Sequence, residues 1–108
     1  MPFPRILPAA EADILAVRAT TLRDGPAMLA EYDELLEDAL EAVAENPRAG
    51  RSRPEIAPSA WIFRIGLKKR GIPHLLLYRI LDDDRVEVRG LLHGAMSLRR
   101  QWRRRDPR

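Results

Sequence analysis

The sequence predicts an α+β domain of two layers, an antiparallel sheet packed against an N-terminal helical hairpin in the order β-α-α-β-β-β. Three observations carry this. Leu29, Tyr32, Leu36, Ala39 and Val43 recur at helical spacing over a long run. A break at Asp24-Gly25-Pro26 separates that run from an earlier helical one. Three strand-like runs, WIFRI, HLLLYRIL and RVEVR, then follow between turn residues. With 108 residues the chain can bury one modest core, which reads as a single domain over 1–102 with a basic tail over 103–108.

Phe3 to Leu7 is a short strand confined to a sheet edge, because Pro2 and Pro4 lack the amide donor that a central strand needs. Pro8 suits a first helical turn, where a missing N–H costs nothing. In AAEADILAVRATTL, Ile14, Val17 and Thr21 fall at helical spacing beside Leu15 and Leu22. The short Asp24-Gly25-Pro26 link makes a hairpin of this helix and the next. In the second helix Leu35 and Leu40 widen the apolar stripe, and Glu31, Glu34, Glu37, Asp38, Glu41 and Glu45 fill the opposite side. Asn46-Pro47 closes it, since proline disfavours helical geometry in the residue before it.

Residues 48–58 (RAGRSRPEIAP) carry charges and turn formers without a period, which reads as a surface loop. Trp61 to Ile65 alternates as a strand, and residues 66–71 form a basic hairpin loop. His74 to Leu81 is apolar on both faces, as a covered central strand should be. Asp82, Asp83 and Asp84 turn the chain into Arg85 to Arg89, where Val86 and Val88 alternate with Arg85, Glu87 and Arg89. Tight connections make these three strands an antiparallel meander. The hairpin then lies on its apolar face to bury both stripes.

The formal net charge of +3 hides a polarity. Residues 1–46 hold three arginines against ten acids, a net −7, and residues 47–108 hold sixteen basic residues against six acids, a net +10. Such a molecule steers its basic half toward an anionic partner. The absence of cysteine excludes disulfides, thiolate metal sites and cysteine nucleophiles. No apolar run approaches the roughly 18–20 residues that cross a bilayer, so no membrane partner is expected. The first residues, MPFPRILPAAEAD, lack the apolar core of a signal peptide, and the expected location is the cytoplasm.

Catalytic signals are thin. His74 and His93 have no ligand-spaced partners for a metal, no phosphate or dinucleotide fingerprint occurs, and no cofactor is expected. Ser97 has no nearby base in sequence. His74 opens a buried strand and reads as structural, whereas His93, before Gly94 and the basic segment, suits either a sheet-edge cap or a general acid. Arg79, inside an apolar strand, either pairs with an internal acid or emerges on a functional face. Arg64 and Arg89 point outward and join it in one patch if the register permits. Arg99, Arg100, Arg103, Arg104, Arg105 and Arg108 crowd the end of the chain around Trp102, a set suited to phosphates. The hairpin stripe, with Leu29, Tyr32, Leu36 and Leu40, offers a groove for an amphipathic partner segment if the sheet leaves part of it open.

Four pieces of the chain, PAAEADI, ENPRAGRSRPEI, HLLLYRI and VEVRGLLHGAMSLRR, in this order and spacing resemble toxins of the RelE/ParE superfamily of bacterial type II toxin–antitoxin systems. The resemblance runs from about Pro8 to Trp102, and the last piece leans toward the ParE branch. It implies a non-enzymatic poison of DNA gyrase, held in check by a cognate antitoxin that wraps an amphipathic segment around the hairpin and sheet. By position, Arg79 and the segment from His93 to Arg100, including Met96 and Arg99, mark the functional end of the domain. Arg89 and Trp102 join that target-binding set. The RelE branch instead cuts messenger RNA on the ribosome. For that alternative Arg64, Arg79 and His93, with Lys68 and Lys69, are the candidate catalytic residues, although no tyrosine follows Tyr78. A third alternative is a non-toxic remnant that still binds its antitoxin.

Overall fold

The structure, a computed structural model, describes residues 3–66, 74–94 and 97–105. Helices α1 (Pro8–Leu22) and α2 (Pro26–Glu45) form the predicted hairpin. Gly25 turns the chain between them at φ 112°, a conformation that a side chain would strain. Arg18 of α1 grips Asp33 of α2 with two parallel hydrogen bonds of 2.9 and 3.0 Å. This exposed pair holds the Asp33 carboxyl below its ordinary range. Tyr32, Leu36, Ala39, Leu40 and Val43 of α2 are buried against the sheet. Each large side chain so buried stabilises the fold by about 1.5–3 kcal/mol, which fixes how the hairpin sits.

The sheet has five strands in the order β1-β5-β4-β3-β2. They are β1 (Arg5–Ile6), β2 (Arg51–Ser52), β3 (Trp61–Ile65), β4 (His74–Ile80) and β5 (Val86–His93). The β3-β4-β5 meander is antiparallel, as its turn residues predict. β1 differs: it runs parallel to β5, pairing Arg5 with Glu87 and Ile6 with Val88, so the sheet is mixed. A 3-10 turn (Pro47–Ala49) and β2 lie inside the segment expected to be a loop. The Tyr78 hydroxyl pins that segment to the central strand, donating to the Pro47 carbonyl at 2.7 Å and accepting from the Gly50 amide at 3.1 Å.

A bulge resets β5. Tyr78 faces Val88 and Leu77 faces Gly90, which leaves Arg89 as the extra residue. The strand therefore runs on past Arg89, its predicted end, to His93. Val86, Val88 and Leu91 pack with the hairpin, whereas Leu92 packs on the other face. That second face has its own cluster of Ile56, Ala60, Ile62, Leu75, Leu77, Leu92 and Trp102. Helix α3 (Leu98–Arg104) contributes Trp102 and Leu98 to it. The expected boundary at residue 102 thus falls inside a helix, because Leu98 and Trp102, four residues apart, bury one of its faces. Among the described residues no helix is long and apolar enough to cross a membrane.

Candidate functional site on helix α3 and the end of β5

The sequence of α3, LRRQWRR, contains no acid and sorts its residues by face. Gln101 and Trp102 are buried and Leu98 is half-buried, while Arg99, Arg100, Arg103 and Arg104 are exposed on the other side. The Trp102 ring lies 4.3 Å from the guanidinium carbon of Arg89, a cation–π contact in which the arginine is only 4% exposed. Arg99 donates two hydrogen bonds to the Glu55 carbonyl, at 2.8 and 3.1 Å, and so fastens the start of the helix to the loop before β3.

Arg105 fastens the other end. Its guanidinium meets the Asp13 carboxylate of α1 in two hydrogen bonds of 2.7 and 2.8 Å. The same carboxylate accepts the Leu91 amide at 3.1 Å. β1 and the residue after it accompany β5 only as far as Val88, so Asp13 supplies the acceptor that an edge strand would have given Leu91. Gly90 makes room for this junction. A Cβ there would lie 2.6 Å from Arg105 Cδ and 3.1 Å from the Asp13 carboxylate.

The register separates the arginines expected to form one patch. Arg64 sits opposite Leu75, four residues along β4 from Arg79, or about 13 Å at ~3.3 Å per residue. Arg79 pairs internally with Glu87, Nη2 to Oε1 at 3.0 Å, and Arg5 reaches the other carboxylate oxygen at 3.9 Å. Arg89, expected to point outward, is buried instead, because the bulge turns it onto Trp102. Trp102 is correspondingly packed into the core.

His93 ends β5 directly opposite His74, their ring centroids 6.2 Å apart. His74 Nδ1 lies 2.7 Å from the Tyr32 hydroxyl. Burial, and then the neighbouring His93, pushes the His74 pKa down. Burial, with a smaller effect of Asp33, pushes the Tyr32 hydroxyl up. Tyr32 therefore stays a neutral hydroxyl, and the His74 tautomer sets which of the two groups donates. His93 itself is exposed.

The hairpin groove does not open as the sequence allowed. Tyr32, Leu36 and Leu40 are closed against the sheet, and Leu29 is half-buried. Exposed apolar surface lies instead on the outer face of α1, where Leu15 is 59% and Leu22 50% exposed, with Ala12 and Ala19 at the same helical spacing. Beside it, Ala16, Val17, Thr20, Thr21 and His74 line a cleft of about 220 Å³. Lys68, Lys69 and Met96 lie outside the described residues.

Sequence reasoning missed Asp13 and Gln101 and placed Arg105 in a basic tail. Only the Leu98–Trp102 spacing hinted that the tail begins as a packed helix.

The family described as "ParE toxin of type II toxin-antitoxin system, parDE" matches residues 5–98. No curated protein matches the chain with significance. The family match spans both helices of the hairpin, the whole sheet and the start of α3. The chain therefore belongs to the ParE toxin family: it is a toxin of a type II toxin–antitoxin system, and its partner is a cognate antitoxin.

Proposed function

We propose that this toxin acts by inhibiting DNA gyrase in the cytoplasm, with α3 and the end of β5 as the surface that meets its target. One observation carries the choice of a binding poison over an RNA-cutting enzyme. Among the described candidates for ribonuclease chemistry, Arg79 does not converge with Arg64 and His93. Arg64 and His93 lie toward one end of the sheet, and Arg79 lies toward the other, neutralised by Glu87. General acid–base cleavage needs its groups within hydrogen-bond reach of one another around a single bond. A positively charged helix fastened at both ends suits a role in which binding itself is the activity.

Antitoxin docking follows from the same surface accounting. The outer face of α1, with Leu15 and Leu22, is the apolar surface of the hairpin that an amphipathic antitoxin segment can cover. Tyr32, Leu36 and Leu40 support that face from the core. The acidic character of residues 1–46 favours a segment with basic flanks.

The test is parallel titration of the purified toxin into gyrase supercoiling reactions and into a reconstituted translation system. Loss of supercoiling with translation intact is expected. Arrested translation with cut messenger RNA, and supercoiling unaffected, refutes the proposal.

A further inference from the structure

Among the described residues, six arginines are held by carboxylates. Arg5 and Arg79 share Glu87, Arg18 pairs with Asp33, Arg48 with Asp84, Arg53 with Glu55, and Arg105 with Asp13. Arg100, Arg103 and Arg104 are exposed, and no carboxylate among the described residues pairs with them. They stand at i, i+3 and i+4, so they share one helix face. Arg99 flanks them with its guanidinium on the Glu55 carbonyl. The helix that carries them is not a loose terminus, since Trp102 is 5% exposed and Arg105 is clamped to Asp13.

We infer that this face is a binding site for the phosphate backbone of duplex DNA, engaged through Arg100, Arg103 and Arg104 without reading sequence. Guanidinium groups suit phosphate oxygens because their planar donors match them two at a time. The three side chains project from about 6 Å of helix axis, at 1.5 Å rise per residue, and their long arms fan out to reach neighbouring phosphates of a regular backbone. Double-stranded DNA is favoured over single-stranded RNA for one reason. Unpaired bases are held by stacking on exposed aromatic rings, and the aromatic residue of α3 faces the core. The inference concerns α3 alone and does not depend on gyrase being the target.

The test uses the full chain, without gyrase, titrated into a short fluorescein-labelled DNA duplex of arbitrary sequence and followed by anisotropy over a range of salt. Three phosphate contacts give a slope of log affinity against log salt of about −2.7. The triple variant Arg100→Gln, Arg103→Gln, Arg104→Gln should bind at least tenfold more weakly, with a slope near zero. A charge-matched control, Arg23→Gln, Arg51→Gln, Arg85→Gln, changes exposed arginines elsewhere and should keep both affinity and slope. Circular dichroism checks that both variants stay folded. Equal losses in the two triples, no binding by the parent chain, or tighter binding to single-stranded RNA than to the duplex would each overturn the inference. DNA binding without gyrase inhibition would refute the proposed target and leave this site standing. Gyrase inhibition without DNA binding would do the reverse.

Discussion

Asp13 and Arg105, 92 residues apart in sequence, face each other in a two-point ion pair that ties the first helix to the last around the edge of β5. Both side chains are mostly shielded, at 17% and 14% exposure, and the carboxylate also serves the Leu91 amide. Asp13→Ala should therefore cost about 2–3 kcal/mol, between the values for charge-assisted hydrogen bonds and those for broken buried pairs. Urea unfolding of both single variants and of the double variant with Arg105→Ala measures the link. A coupling of about 1–2 kcal/mol is expected, and additive losses would show that the two side chains act independently.

Gly90→Ala places a methyl group where the Arg105 side chain passes. The expected loss is about 1–2 kcal/mol, in the range of overpacked cores. The obstacle is a side chain rather than backbone, so the same substitution in an Arg105→Ala background should be nearly neutral. A penalty that persists there would place the conflict in the backbone or at Asp13.

His74 makes stability depend on pH on the acid side. Its folded pKa lies below the ordinary 6.5, chiefly through burial and then through His93. Below pH 6.5 the unfolded chain takes up a proton that the folded one resists, so stability falls as the pH drops. It levels off once the pH passes below the folded value. Unfolding midpoints measured across this window should fall toward acid in the parent chain, and His74→Gln should flatten that stretch.

Leu36 and Leu15 should separate folding from partner binding. Leu36→Ala empties a core position and is expected to cost about 2–4 kcal/mol in thermal or urea unfolding. Leu15→Glu changes an exposed side chain and should leave stability within about 0.5 kcal/mol. It should nevertheless weaken antitoxin binding at least tenfold by calorimetry. Unchanged affinity in Leu15→Glu would move the antitoxin surface away from α1.

Local chemistry was legible in the sequence, and long-range geometry was not. The stripe from Leu29 to Val43 marked α2 because its period is fixed by the helix itself. The turn at Asp24-Gly25-Pro26 and the alternation in WIFRI and VEV were equally readable. The bulge at Arg89 left no composition signal, and it reverses the expectation for that arginine by turning it inward. The packing of α3 was not legible because its anchor, Asp13, lies at the other end of the chain. On α1, apolar residues occur all round, so spacing alone did not say which leucines face the sheet and which face outward. Arg79 was legible as a choice between two fates, and Glu87, its cross-strand neighbour, decides between them.

The central claim, a ParE-family toxin acting on gyrase through the α3 end of the domain, is tested most directly by counting trapped DNA breaks. Purified gyrase and supercoiled plasmid would be incubated with the toxin, with its antitoxin complex, and with a variant lacking residues from Leu98 onward, checked for folding. Linear plasmid should accumulate with the free toxin after protein is removed, and not with the complex or the truncated chain. No linear plasmid, or equal amounts with and without α3, would contradict the account.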